Sequence, residues 1–573
     1  MNQDNEHENE YLGWGGELSE EENEDLNQAI QAKHSGDMKL GKLDTTFRRV
    51  RSKLWQPPRG LVHDDAGAGP NNMPPKVRGF SPLKIFMLFF PLYLVKAIVA
   101  QTNLYYCQRD PGTPHLAPFL TVREFFTFVA LHLKMLKSWC GRQNKYFSSR
   151  GPFDARRYMS RRRFFWIKAH LHFADKSKRP QEDDPTWDPL YLIRPLVKTF
   201  NVLFRKYWKL SRMVSLDEMM VSFRGRNPFH RFIPRKPHPN GFKLHAICCA
   251  KRYFCVAFLV DDNIKRTIPQ IAAELFRDNV VAGMTVITDR WYTCTGLVQL
   301  CLGAKVGLIG STKTQRFLAK HVLTGWSGNE GAKKERGSFA VAKNKDGKVA
   351  CVVWKDKGVV RFTVTASSTM RVKVRRKQKN HDSFLVDAPY CAEVYDQYFH
   401  GVDRNDQLRG DGYGLALCFR ATKYTVKFFL GMLDVVLSNT WILWRNLHTK
   451  DAKKHADWFD SLTEEMLNFN PLDEPLYQQP QSPESERHAV VNLAMVPTKI
   501  GGQRRMLGDC AVCSAPGKRK RTSFGCAICN IAVCAHQCHA HWHTSPPLAR
   551  KLIKSRFKKL RFDVSPSSSS SSV

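Results

Sequence analysis

The chain has 573 residues, 43% of them hydrophobic, and a formal net charge of +37 at neutral pH. Such a length asks for three or four units, and such an apolar fraction allows a sizeable packed core. Its first thirty residues hold acidic side chains and no Lys or Arg, so the remainder is more basic still, a surface that attracts polyanions and nucleic acid foremost. An acidic, polar start is not the pattern of a secretory signal. The longest apolar run, residues 85–95, contains Pro91 and falls short of the about 20 residues that span a bilayer, so no membrane partner is expected. Of the 16 cysteines many are scattered and the rest cluster near the C-terminus, which fits a reducing compartment with a metal site better than a disulfide scaffold.

Residues 1–75 are acidic and then rich in Gly, Pro and Asn, a composition that predicts disorder. Residues 76–210 read as a helical domain for DNA binding and dimerisation. TVREFFTFVALHLKMLKSW and MSRRRFFWIKAHLHFAD place apolar residues at helical spacing, and their aromatic residues read as helix core. Arg161, Arg162 and Arg163 form a basic run, most simply a solvated face.

At residue 211 the rhythm changes. MVSLDEMMVSF, FKLHAICC and YFCVAFLV predict three strands joined by short turns; IPQIAAELFRDN predicts a helix, MTVITD a strand, WYTCTGLVQLCL a helix and VGLIG a strand. Three consecutive strands followed by alternating helices and strands is the order of a ribonuclease H-like α/β fold, with its first part at 211–310. Residues 311–395 carry the short strands VACVVW and VVRFTVT and the basic run RVKVRRKQK, and read as an insertion. The last part of the core, 396–475, opens on GVDRNDQLRG and runs into the apolar helix ATKYTVKFFLGMLDVVLSNTWILW. A polar linker (476–505), a cysteine-rich module (506–545) and a basic, then Ser-rich tail (546–573) complete the chain.

Carboxylates carry the first chemical reading. Two-metal phosphodiester chemistry needs several of them, because two Mg²⁺ or Mn²⁺ ions about 3.5–4 Å apart take oxygen ligands. Asp217 lies in the first predicted strand and Asp289 ends the fourth, and those strands are neighbours in a ribonuclease H-like sheet. Asp403 and Asp406 share a helix face three residues apart. Asp261, Asp262 and Asp356 read as turn and cap residues. Glu218 alternates to the opposite face from Asp217 and is left out of the set.

These segments resemble the piggyBac transposase family. The resemblance rests on SLDEMMVSFRGR and KPHPNGFKLH at 215–245, on TDRWYTC, on YDQYFHGVDRNDQLR, on a downstream helix with Asn439 and Trp444, and upstream on TNLYY and MSRRRFFWIKAHLHFAD. It runs from about 80 to 545. It implies a DDE/D catalytic triad of Asp217, Asp289 and Asp403, with Asp406 a further acidic residue of the site. It also implies cutting of transposon ends through a hairpin, joining at TTAA targets, and a homodimer on double-stranded DNA. Arg290 departs from the family pattern, in which Asn commonly follows the second Asp.

The C-terminal cluster reads Cys510-x2-Cys513, Cys526-x2-Cys529, Cys534 and Cys538, with His536, His539, His541 and His543 interleaved. Two CxxC knuckles each supply half of a tetrahedral thiolate site for Zn²⁺. Six Cys and at least two His allow two zinc ions in a cross-braced arrangement. Cys538 and His541 are expected ligands, His536 and His543 stay open, and His539 is set aside as a bystander. The resemblance implies that such a domain binds transposon-end DNA. GKRKR at 517–521 and ARKLIKSRFKKLRF at 549–562 add phosphate-binding charge and a nuclear localisation pattern. The alternative reading is a domesticated, transposase-derived nuclear DNA-binding protein that does not cleave.

Overall fold

The structure is a computed structural model, and it describes residues 43–50, 68–109, 118–378 except 228, 235 and 237, then 381–410, 414–448 and 454–471, together with the backbone of short strands between 490 and 532. The chain divides into two compact units: one takes in the described residues up to 89 with 196–459, the other 90–195 with the residues from 460 onward.

Ten strands of the first unit form one mixed sheet. They are β1 (Phe47–Val50), β2 (Met213–Ser222), β3 (His230–Phe232), β4 (Asn240–Cys249), β5 (Cys255–Val260), β6 (Thr285–Thr288), β7 (Gly307–Ser311), β8 (Phe339–Asn344), β9 (Ala350–Lys355) and β10 (Val359–Val364). The order is β1-β8-β9-β10-β7-β6-β2-β4-β3, with β5 also paired to β4. The pairs β2/β6 and β6/β7 are parallel, and the others are antiparallel. Every residue of β5 and β6 is buried, as near-continuous apolar runs require when both faces of a sheet are covered.

The expected run of three strands, helix, strand, helix and strand emerges as β2, β4, β5, α1 (Ile268–Phe276), β6, α2 (Thr295–Gly303) and β7. A capping box between Thr267 and Gln270, with proline at the start of the helix, fixes where α1 begins. Within the 311–395 stretch, read as an insertion, β8, β9 and β10 hydrogen-bond onward from β7 and widen the same sheet. Likewise Phe47–Val50, within the stretch that composition marks as disordered, pairs antiparallel with β8. The cause in both cases is the row of backbone donors and acceptors that an edge strand offers. A hairpin of β11 (Arg371–Gln378) and β12 (His381–Pro389) follows, then α3 (Tyr390–Tyr398), α4 (Gly401–Gly410) and α5 (Tyr424–Leu447).

Two glycines let these helices approach β2. A Cβ on Gly401 would lie 2.8 Å from the Ser215 Cβ, and one on Gly431 of α5 would collide with the Val221 side chain. Helix α5 is long and apolar enough to cross a membrane, but that window is entirely buried inside the fold. Asn439, in its C-terminal half, accepts from the Cys255 amide at 3.0 Å and donates to the Cys255 carbonyl at 2.8 Å, which pins the helix to β5.

In the other unit, helix Val122–Lys137 starts at a Thr121–Glu124 capping box and buries Phe125, Phe126 and Phe128, as its spacing predicts. Arg163 differs from the solvated run expected of it. Its guanidinium clasps Glu124 with two 2.8 Å bonds and donates to the Pro118 and Phe119 carbonyls, whereas Arg161 and Arg162 are exposed. In the TNLYY block, buried Asn103 exchanges bonds of 2.7 and 3.0 Å with the Leu120 backbone.

Candidate active site

Strands β2 and β6 run parallel, with Met213 opposite Thr285 through to Leu216 opposite Thr288. One further step along each strand stands an aspartate, Asp217 on β2 and Asp289 just past β6. Residues far apart in sequence are thus brought side by side, midway along β2 and just past the end of β6. Asp289 is held rigidly: one carboxylate oxygen accepts from the Trp291 amide at 2.8 Å and the Tyr292 amide at 3.1 Å. Asp217 accepts from the Glu218 amide at 2.8 Å.

Both carboxyls are costly to ionise where they stand. Burial, the Glu218 charge and the Asp289 charge together push Asp217 up to about 8. Asp289 is raised chiefly by burial, against the two amides that favour its anion.

Helix α4 packs against the same face of β2, with the Ser215 hydroxyl donating to the Phe399 carbonyl at 2.9 Å just before the helix. Asp403 lies in its first turn. Its neighbour is Lys236, 3.9 Å away, whose ammonium also lies 3.6 Å from the Glu218 carboxylate and donates to the Glu218 carbonyl at 3.3 Å. Burial opposes the charge on Lys236, but Glu218, Asp217, Asp403 and Asp406 outweigh it and hold its pKa above the ordinary value.

Asp406, one turn on, is bonded to Arg409 of the same helix, and Arg409 also donates to the Met220 carbonyl of β2 at 3.1 Å. Burial raises the Asp406 carboxyl while Arg409 opposes the rise. Beyond it, buried Asp434 of α5 accepts from the Leu415 and Ala416 amides at 2.7 and 2.9 Å, and burial pushes it up to about 7.

The structure therefore brings Asp217 and Asp289 together, and sets Asp403 beside them across Lys236. Among the described residues no three carboxylate, His or Cys side chains stand close enough to hold one metal ion between them. Glu218 and Lys236 were missed by sequence reasoning. Glu218 does alternate away from Asp217, opposite His245 on β4, yet its long side chain reaches the cation that Asp403 shares. No periodicity marks Lys236, which sits in the turn-rich KPHPNG segment. The signal for Arg409 was its place three residues after Asp406.

On the Glu218 face, buried His245 meets the Tyr292 hydroxyl at 2.7 Å, stacks on Trp291 and is pushed down to about 3 by burial and then by Lys243. Lys243 lies 4.0 Å from the Trp291 ring centre. Arg290 is exposed. The three aspartates set aside are engaged elsewhere: Asp261 with Arg231, Asp262 with Arg266, and Asp356 with Arg336 and Arg376.

A family model described as Transposase IS4 matches residues 81–441, well over half of the chain. The chain belongs to the piggyBac-type transposase family. It is 26% identical over 528 residues to PiggyBac transposable element-derived protein 3 of Homo sapiens, covering 87% of this chain and 82% of that one. PiggyBac transposable element-derived protein 2 of Homo sapiens is 24% identical over 395 residues, with 65% of this chain and 62% of that one covered. The fold is similar to that in the cryo-EM structure of a piggyBac transposase synaptic complex with hairpin DNA, with a TM-score of 0.56 at 19% identity, covering 82% of this chain and 99% of that one.

Of the expected zinc ligands, Cys510, Cys513, Cys529, Cys534, Cys538, His536, His541 and His543 lie outside the described residues, and Cys526 ends a strand, Phe524–Cys526.

Proposed function

We propose that this member of the piggyBac-type family is a DNA transposase that binds transposon ends, cuts them and joins them to target DNA. The carrying observation is the juxtaposition of Asp217, midway along β2, with Asp289, just past the end of the parallel neighbour β6, and Asp403 on the adjoining helix α4. The strand order β5-β4-β2-β6-β7 supports reading the centre of the sheet as ribonuclease H-like. The synaptic complex with hairpin DNA supports end binding and a hairpin route. TTAA targets, a homodimer and a nuclear location rest on the family resemblance and the basic segments.

The donors suit Mg²⁺ or Mn²⁺, being hard carboxylate oxygens whose mutual repulsion a dication relieves. Asp217, Asp289 and Asp403 would hold the ions, which supply activation of water or a 3′-hydroxyl and stabilisation of the leaving oxygen. The chain's own part is orientation. The Trp291 and Tyr292 amides fix Asp289, and Lys236 bridges Asp403 and Glu218. Arg409, held by Asp406 of the same helix, acts as a strut from α4 to β2. The test is nicking of duplexes that carry the protein's own transposon ends, with Mg²⁺; wild-type protein that binds them and never nicks them would overturn the cutting reading.

DNA binding without cleavage is the second reading. It is favoured by the Lys236 ammonium among the carboxylates, by Arg290 beside Asp289, and by relatives named as transposable element-derived proteins.

The cysteine-rich module is proposed to bind Zn²⁺ and to read DNA ends. Purified protein should carry about two zinc ions per chain. Cys510→Ser should lower that content and weaken end recognition while the core's unfolding transition is unchanged. Metal analysis that finds no zinc in protein never exposed to chelator would refute this.

A further inference from the structure

Strand β11 reads RVKVRRKQ, and successive side chains of a strand alternate between its faces. Val372, Val374 and Arg376 take one face. Val374 is buried with Val386 and Ala388 of β12 in the core that includes Trp354 and Tyr395, and Val372 packs against that core. Arg376 is tied to Asp356 at 3.1 Å and Asp396 at 2.6 Å, 5.2 Å from the Trp354 ring centre. The hairpin is thus anchored along its inner face.

Arg371, Lys373 and Arg375 take the other face, Lys377 follows where the register shifts, and all four are exposed. Across the ribbon, Asp387 pairs with Arg371 at 2.6 Å and Lys373 at 3.7 Å. Leu385, opposite Arg375, is 58% exposed. Among the described side chains of the ribbon, the single carboxylate Asp387 against four cations leaves this face basic.

We propose that this ribbon face docks duplex DNA, with its row of basic side chains on phosphates along one groove. The inference rests on the transposase reading. Alternate residues of a strand lie about 6.8 Å apart, so Arg371, Lys373 and Arg375 span about 14 Å, the axial length of about four base pairs. A two-stranded ribbon fits a major groove about 12 Å wide, and Leu385 supplies an apolar contact for a base edge. Because the inner face is packed, the row is presented without the entropy cost of ordering a free loop.

The test uses the full chain with all four residues changed to Gln, titrated with terminal-repeat and random duplexes over a range of salt. Affinity should fall for both duplexes alike. The slope of log affinity against log salt should become shallower by about 0.9 for each phosphate no longer neutralised, up to about 3 or 4 in all. Arg371→Lys with Arg375→Lys, which keeps the charges, should retain the wild-type slope. A nearly unchanged unfolding midpoint is expected for both variants, since the ion pairs of Arg371 and Lys373 with Asp387 are exposed and exposed pairs contribute little to stability. Wild-type affinity and slope in the Gln variant would overturn the proposal and leave the transposase reading standing. The same result with weakened binding to polyglutamate would assign the face to an acidic protein instead. Wild-type protein that shows no salt-dependent DNA binding would overturn both.

Discussion

Asp217→Asn is expected to reduce strand cleavage by about 100-fold or more while DNA binding persists. Asn keeps the size and the position on β2 but removes the anion, and losing several kcal/mol of charge stabilisation costs about tenfold for each 1.4 kcal/mol. The same substitution should act on the protein without DNA. Asp217 is pushed up to about 8 by burial and by Glu218 and Asp289, so a dication that binds there relieves repulsion and stabilises the folded state by mass action. Mg²⁺ should therefore raise the wild-type melting temperature, and Asp217→Asn should abolish that rise. Cleavage that survives the substitution would mean the active site lies elsewhere. Arg290→Asn, which restores the residue common in the family, should leave cleavage intact or raise it.

Arg409→Ala should destabilise the sheet-containing unit by about 3 kcal/mol, read as a lowered denaturant midpoint. Removing one partner of a buried ion pair leaves the other as an uncompensated buried charge, here Asp406, and the Met220 carbonyl also loses its donor. Arg409→Lys should recover part of the loss, because an ammonium restores the charge but not the forked geometry. Nearby Asp434 gives this region a pH dependence. Its folded pKa of about 7 lies above an unfolded aspartate's at about 3.9. The stability it contributes is therefore complete below about pH 4 and is lost as pH rises through about 7. Arg409 is one of the cations that favour the Asp434 anion, so its removal should steepen that loss. An Arg409→Ala protein with wild-type midpoint and pH profile would show that the Asp406–Arg409 pair does not stabilise the fold.

Much of the larger unit was legible in residue order. Strands β2, β4, β5, β6 and β7 and helices α1 and α2 declare themselves by apolar runs and turn residues, since burial and backbone geometry act over a few neighbouring positions. The candidate aspartates were legible too, but as a set only through their elements and the family blocks, because a single Asp at a strand end looks like any cap.

The tertiary structure decided the rest, and in each case the deciding interaction joins segments distant in sequence. Whether β8, β9 and β10 stand apart or widen the sheet depends on the free edge of β7, which local pattern does not encode. Phe47–Val50 becomes a strand because β8 offers it backbone partners, against a composition that argues for none. Arg163 leaves its basic run for Glu124 because a neighbouring helix brings that carboxylate within reach. Glu218 enters the site although the pleat points it away, because Lys236, from a turn with no periodicity of its own, bridges it to Asp403. By itself the sequence determined which segments are strands and helices and which residue types the site contains. Which charges meet, and through which cation, is a long-range electrostatic outcome that only the folded arrangement decides.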